Sequence, residues 1–185
     1  MEKQQLNIII ELLGKFKDLK RTGWLKRGVI LPESDAEHSF SLAMLVLLLT
    51  PEKIDRSKCM EMALIHDLAE LYVGDYTPED GISQEEKHRK ELVAMKRISQ
   101  ELSTPYLMEL FSEFEEQQTK EAKFVKALDK VDTVLTACYY DKNNRSSTKL
   151  VPEFGGYAQK CVQEADFEEI PFVKDVLNQL VGANN

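Results

Sequence analysis

The residues most able to do chemistry are two histidines and a few carboxylates set where a helix would otherwise be apolar. The stretch "ALIHDLAELYVGD", Ala63 to Asp75, puts His66 and Asp67 side by side in an apolar run, with Glu70 and Asp75 close behind. Burying such groups without compensation is costly. On a continuous helix His66 and Glu70 are four apart and share a face, with Asp67 about 100° round. His38 lies four residues past Ser34, just ahead of the apolar run Leu42 to Leu49. Asp129, in "FVKALDKVDTV", is a charge among apolar residues at helical spacing, and Asp132, one turn on, competes with it. Imidazole plus carboxylate is a donor set for Mn²⁺, Fe²⁺, Co²⁺ or Zn²⁺, and a cation offsets the burial of these acids. A single buried histidine is more often a hydrogen-bonded core residue. It is the combination that points to a metal.

The elements that must position these groups are clearly punctuated. Leu6, Ile9, Ile10, Leu13 and Phe16 recur at spacings of three and four, an amphipathic helix face. "RTGWLKRGVILPES" reads as an irregular link broken by Gly23, Gly28 and Pro32. Ser34 and Glu37 form a capping box opening a helix to about Leu49, apolar enough from Leu42 onward to be central and buried. A helix from near Asp55 is expected to run unbroken to Gly74, which suits a C′ position. Ser83 with Glu86, Thr104-Pro105, and Thr119 mark three further starts. Weaker helical patterns cover Tyr157 to Ala165 and Pro171 to about Val181. Strand alternation, hairpin turns and repeats are not evident. The expectation is an all-α, single-domain bundle of about six to eight helices over residues 1–185, with a motif-bearing core at about 12–142 and C-terminal helices at 157–181.

Composition narrows the function. A net charge of −8 lacks the basic face that nucleic-acid binding requires. The three cysteines, Cys59, Cys138 and Cys161, contain no CxxC spacing, so neither a disulfide framework nor a thiolate zinc site is indicated. No cleavable leader is evident, and Leu42 to Leu49 is far shorter than the ~20 residues that cross a bilayer. A cytoplasmic protein without membrane contact is expected.

Three separated motifs carry a resemblance. "AEHS" at Ala36 to Ser39, "HDLAELYVGDYTP" at His66 to Pro78 and "KALDK" at Lys126 to Lys130 resemble the H…HD…D pattern of the HD-domain metal-dependent phosphohydrolases. "RTGWLKRG" ahead of "ESDAEHS", and "ISQEEKHRKE" after "GDYTPEDG", are similar to the 5′-deoxynucleotidase branch of that family. The resemblance covers roughly Leu12 to Lys142.

The resemblance implies that His38, His66, Asp67 and Asp129 ligate one divalent ion, with Mn²⁺ or Co²⁺ foremost and Fe²⁺, Zn²⁺ or Mg²⁺ as further candidates. It prefers Asp129 to Asp132, because "LDK" matches the family's final aspartate. Glu70 and Asp75 match acidic residues that serve catalysis, either directly or by holding a second ion. An all-helical homodimer hydrolysing deoxyribonucleoside 5′-monophosphates is implied. Some bacterial relatives carry an Arg-Trp pair where this chain has Gly23-Trp24, and Arg27 on the same link suits the missing phosphate contact. Trp24 fits either stacking on the nucleobase or sugar, or core packing. Thr77 and Lys87 are further pocket candidates, whereas Lys26 and His88 read as solvent-facing. Two rival readings remain: an HD phosphohydrolase acting on a nucleoside triphosphate or modified nucleotide, and a non-catalytic module stabilised by its metal. The first asks for more Lys and Arg than the Arg21–Gly28 link offers, and the second has no need of Glu70 and Asp75.

Overall fold

The computed structural model describes residues 3–164 and 171–182, and the regular elements among them are all helical. They are α1 (Lys3–Asp18), α2 (Thr22–Lys26), α3 (Asp35–Leu49), α4 (Arg56–Ile65), α5 (Glu70–Val73), α6 (Gln84–Glu101), α7 (Pro105–Glu116), α8 (Lys120–Lys142), α9 (Val151–Glu164) and α10 (Pro171–Gly182), with a 3-10 turn at Pro78–Asp80. The all-α expectation holds. α2 and α5 are helices of five and four residues, and the rest are the long helices that periodicity anticipates.

Helix α8 is the axis on which α3, α4, α7, α9 and α10 pack. Trp24, Leu42, Val46, Met62, Phe124, Leu128 and Val134 fill the cluster around it, while Phe16, Met95, Ile98 and Phe111 fill a second one with Leu68 and Ala69. Each such side chain contributes about 1.5–3 kcal/mol by leaving water. The Ser34 capping box forms as read: Ser34 Oγ accepts from the Glu37 amide at 3.2 Å, and Glu37 Oε2 accepts from the Ser34 amide at 2.7 Å. Asp55, Ser83 and Thr119 likewise cap α4, α6 and α8. Thr104 does not cap α7 through its side chain, which donates instead to the Leu102 carbonyl at 3.2 Å.

Away from the His66 turn, four features depart from the sequence reading. Helix α1 buries Phe16 but exposes Leu6, Ile10 and Leu13, three residues of its anticipated inner face. Helix α3 buries Leu42 and Val46 completely yet leaves Phe40 66% and Leu48 71% exposed, because only one of its apolar faces meets the bundle. The Arg21–Ser34 link is a tied loop rather than an open one. An isolated antiparallel bridge joins Lys20 to Ser34, the Arg21 amide donates to the Glu33 carbonyl at 3.2 Å, and the Asp35 amide to the Leu19 carbonyl at 2.9 Å. Finally, α9 starts at Val151, six residues early, and its expected end at Ala165 lies outside the described residues. Asp141 replaces a local cap there, accepting from the Leu150 and Val151 amides at 2.9 and 3.1 Å. The Gly155-Gly156 pair disguises this helix. A Cβ on Gly155 would lie 2.5 Å from Val181 Cγ2, so glycine is what lets α10 approach.

Candidate metal centre and its cavity

Helix α3, the turn that follows α4, and helix α8 bring His38, His66 and Asp129 together from positions far apart in sequence. His38 Nε2 lies 3.3 Å from His66 Nε2, 3.2 Å from Asp129 Oδ1 and 3.7 Å from Asp67 Oδ2. His66 Nε2 lies 3.0 Å from Asp67 Oδ2. Donors sharing an ion at about 2.1 Å stand about 3.0–3.4 Å apart in octahedral or tetrahedral geometry. The ligand atoms of His38, His66 and Asp129 all lie within 4.8 Å of one another, and Asp67 Oδ2 stands against His66 and 3.7 Å from His38. Two imidazoles and two carboxylates, with both rings almost fully buried, fit a borderline divalent cation.

Each ring has a fixed outer hydrogen bond. His66 Nδ1 donates to the Ala63 carbonyl, in the last turn of α4, at 2.9 Å. His38 Nδ1 faces Asp132 Oδ2 at 2.8 Å. Asp132 therefore sits behind His38 and Asp129 in front of it, which separates the two aspartates that spacing left in competition. The His66 ring also meets the edge of Phe114, at 5.6 Å between centroids.

The expected single helix through His66 is broken. α4 ends at Ile65, and the chain tightens into i→i−3 bonds, from the Leu68 amide to the Ile65 carbonyl and from the Glu70 amide to the Asp67 carbonyl, each at 3.0 Å. Residues three apart eclipse one another in such a turn. Glu70 thus joins Asp67 rather than sharing a helical face with His66. Their oxygens, with one from Asp35, lie within 4.8 Å of one another. Gly74 then ends α5 at φ +87°, a conformation that favours glycine, and donates to the Glu70 carbonyl at 2.7 Å.

Asp35 and Arg21 are the site groups that sequence reading missed. Both Asp35 oxygens are buried without a hydrogen-bond partner, as is Glu70 Oε2. Arg21 Nη1 donates to Asp67 Oδ2 at 2.9 Å and lies 3.8 Å from Asp35 Oδ1. Asp35 reads from sequence as a first-turn acid favoured by the helix dipole, and Arg21 sits in a link without periodicity. A buried arginine beside an "HD" pair is a signal only once the loop is seen to be tied.

The electrostatics are those of a compressed acidic site. Burial, then the charges of Asp67 and Asp75, push Glu70 well above the usual carboxylate range, with Lys87 opposing them. Burial and Asp67 raise Asp35 to about 8, against Arg21. Burial would raise Asp129 as well, but Lys130, His38 and His66 outweigh it and hold its carboxyl well below normal. Burial and Arg21 disfavour charge on His38, yet hydrogen bonds to Asp129 and Asp132 bring it to about 10. A cation at Nε2 would take the place of that second proton.

The cluster opens into a cavity of about 340 Å³, lined among others by Arg21, Asp67, Glu70, Asp75, Lys130 and Tyr157. Asp75 Oδ2 accepts from the Thr22 amide at 2.6 Å, tying the acid to the start of α2. Lys87 Nζ is 3.2 Å from Glu70 Oε1. Thr77 lines the cavity and, with Asp80, binds Lys26, so Lys26 is engaged rather than solvated. Trp24 is 2% exposed, packed on Tyr140 and Phe154, with its indole nitrogen donating to Glu33 Oε1 at 2.9 Å. That is core packing at the cavity wall. Arg27 also reaches the cavity, but Glu79 and Glu153 grip its guanidinium. His88 is half-exposed and paired with Glu115 at 2.9 Å.

An HD-domain family model matches residues 13–170. A 5′-deoxynucleotidase HDDC2 from Homo sapiens is 42% identical over 154 residues, covering 82% of this chain and 76% of the relative. One of the same name from Xenopus laevis is 35% identical over 95% of this chain and 89% of its own length. The crystal structure of a Pyrococcus horikoshii protein superposes with a TM-score of 0.79 at 30% identity, covering 96% of this chain and 98% of that one. With the motifs, the helical bundle and the buried histidine–aspartate cluster, these likenesses establish that the chain belongs to the HD-domain family.

Proposed function

We propose that this chain is a metal-dependent phosphomonoesterase that hydrolyses deoxyribonucleoside 5′-monophosphates to deoxynucleoside and phosphate. The observation that carries the reading is the convergence of His38, His66, Asp67 and Asp129 beside a nucleotide-sized cavity, in a chain whose relatives are named 5′-deoxynucleotidases. His38, His66, Asp67 and Asp129 hold the ion, and two imidazoles with two carboxylates suit Mn²⁺ or Co²⁺. A divalent ion there supplies Lewis acidity toward a phosphoryl oxygen and makes water nucleophilic near neutral pH.

The remaining work falls to the protein's own groups. Arg21 offers a guanidinium fork to the phosphate from its place beside Asp67. Glu70 and Asp75 act on the reactants: one takes the proton of the attacking water and the other delivers one to the leaving O5′. Their alternative role, holding a second ion, draws on the oxygens that Asp35, Asp67 and Glu70 bring within 4.8 Å. Thr77 and Trp24 shape the sugar and base end. A monophosphate suits this charge better than a triphosphate, since Arg21, Arg27, Lys87 and Lys130 are all already paired with acids and leave little positive charge to spare. A purely structural metal site would need neither the cavity nor Glu70 and Asp75.

The protein acts as a cytoplasmic homodimer in this reading. In support, Phe40, Met44 and Leu48 on α3 form an exposed apolar stripe at a spacing of four, and no described helix is long and apolar enough to cross a membrane. The test of the activity is phosphate release from ribo- and deoxynucleoside 5′-monophosphates and triphosphates, with Mn²⁺, Co²⁺, Mg²⁺ or a chelator. Metal-dependent release from deoxynucleoside monophosphates is expected. The absence of such release from every monophosphate overturns the reading.

A further inference from the structure

We propose that Asp132 is a positioning residue that fixes the tautomer of His38, and that Ser41 sets which Asp132 oxygen faces the ring. The inference rests on the reading that His38 Nε2 is a metal ligand. A neutral imidazole carries one N–H, and the nitrogen without it is the one that can bind a cation. His38 turns Nε2 toward Asp129 and His66, and Nδ1 toward Asp132 Oδ2 at 2.8 Å. An ionised carboxylate can only accept. With a cation at Nε2 in place of the proton shared with Asp129, the one remaining N–H is held at Nδ1 and the lone pair at Nε2 is aimed into the cluster.

The second Asp132 oxygen is spoken for as well. Ser41 Oγ donates to Oδ1 at 2.5 Å. Ser41 follows His38 by three residues on α3, so one turn of α3 grips both oxygens of a carboxylate that α8 presents. Asp132 is 1% exposed, which leaves little room for water to substitute. The other imidazole is arranged differently. His66 Nδ1 donates to the backbone carbonyl of Ala63, an acceptor that no side-chain substitution removes. Only His38 depends on a replaceable group for its tautomer.

This dependence makes an isosteric change worse than a deletion. If the Ser41 hydroxyl keeps donating in Asp132→Asn as it does to the carboxylate, its partner is the amide oxygen and the NH₂ faces Nδ1, whereas a hydroxyl that accepts from the NH₂ leaves the carbonyl at the ring. In the first arrangement the ring must accept at Nδ1, moving its proton to Nε2, where the cation should bind. In Asp132→Ala no side chain holds the proton at Nδ1. In the double variant Ser41→Ala, Asp132→Asn the amide is free to turn its carbonyl toward the ring.

The experiment is calorimetric titration of metal-free protein with Mn²⁺ and with Co²⁺, with thermal unfolding run in parallel. Asp132→Ala is expected to weaken binding about 10–100-fold. Asp132→Asn should weaken it further, and the double variant should return to the Asp132→Ala range. That recovery cannot come from a misfolded protein, because a second deletion does not restore a fold. Asp132→Asn binding as tightly as wild type, or more tightly than Asp132→Ala, overturns the inference, as does a double variant no better than Asp132→Asn. Wild-type protein that binds neither ion overturns the ligand reading and this one with it; wild-type binding with an unaffected Asp132→Asn overturns this one alone.

Discussion

At the deep end of the cavity, neighbouring donor atoms of His38, His66, Asp67 and Asp129 approach to 3.0–3.7 Å, and Arg21 closes on Asp67. At its outer edge, Arg27 is held by Glu79 and Glu153, and Lys26 by Asp80. Both regions mix the same kinds of charge. They differ in what surrounds them: Glu79 and Glu153 are about half-exposed, at 52% and 51%, whereas the His38 side chain has no exposure. Water screens the outer pairs, which are worth little. Inside, the acids depend on one another and on the half-buried Arg21, Lys87 and Lys130, and each has a specific direction to face. Pairing is complete at the edge and incomplete at the depth, where Asp35 and Glu70 keep unpartnered oxygens. An incomplete polar interior is where chemistry is expected.

Substitutions test this contrast. The largest effects belong to His66→Ala and Asp129→Asn, which should release the ion and lower phosphate release at least about 10³-fold, as several kcal/mol of Lewis-acid stabilisation disappears. Metal content and turnover measured together check this; a variant that keeps both removes its residue from the ligand set. Next comes Glu70→Gln, expected to cut kcat about 10²–10⁴-fold with the ion retained. Loss of the ion in that variant would make Glu70 a ligand. Arg21→Ala should lower kcat/KM about 10²–10³-fold, and lysine should restore little of it, because a point charge lacks the fork. The smallest effect is predicted for Arg27→Ala, with KM changed by no more than about fivefold and kcat preserved. If Arg27→Ala proved as damaging as Arg21→Ala, the contrast between depth and edge would fail, and the phosphate contact would pass to Arg27.

Much of this site was legible where local chemistry dictates it. The Ser34 and Glu37 pattern announces the start of α3 and so fixes where His38 stands. Asp129 stands out as a charge in an apolar helix; spacing alone does not tell it from Asp132, the "LDK" resemblance prefers it, and tertiary contact shows the two on opposite sides of the His38 ring. What stayed hidden depends on contacts distant in sequence. The tightened turn at His66 to Ala69 leaves no periodic trace, so the pairing of Glu70 with Asp67 was missed. Arg21 owes its position to bonds between the two ends of a fifteen-residue loop, Lys20 to Ser34. The early start of α9 depends on Asp141, a residue of the preceding helix.

The glycine at position 155 has a bearing on catalysis despite carrying no chemistry. Phe154, Tyr157 and Ala158 of α9 line the cavity, while Gly155 on the same helix presses against Val181 of α10. The last helix therefore acts as a shim behind one wall, and its thickness is set by an absent methyl group. Gly155→Ala would add that methyl, with the choice of displacing α10 outward or narrowing the chamber where the sugar and base must fit. A helix with no described residue in the cavity lining thereby helps to gauge which molecules enter it.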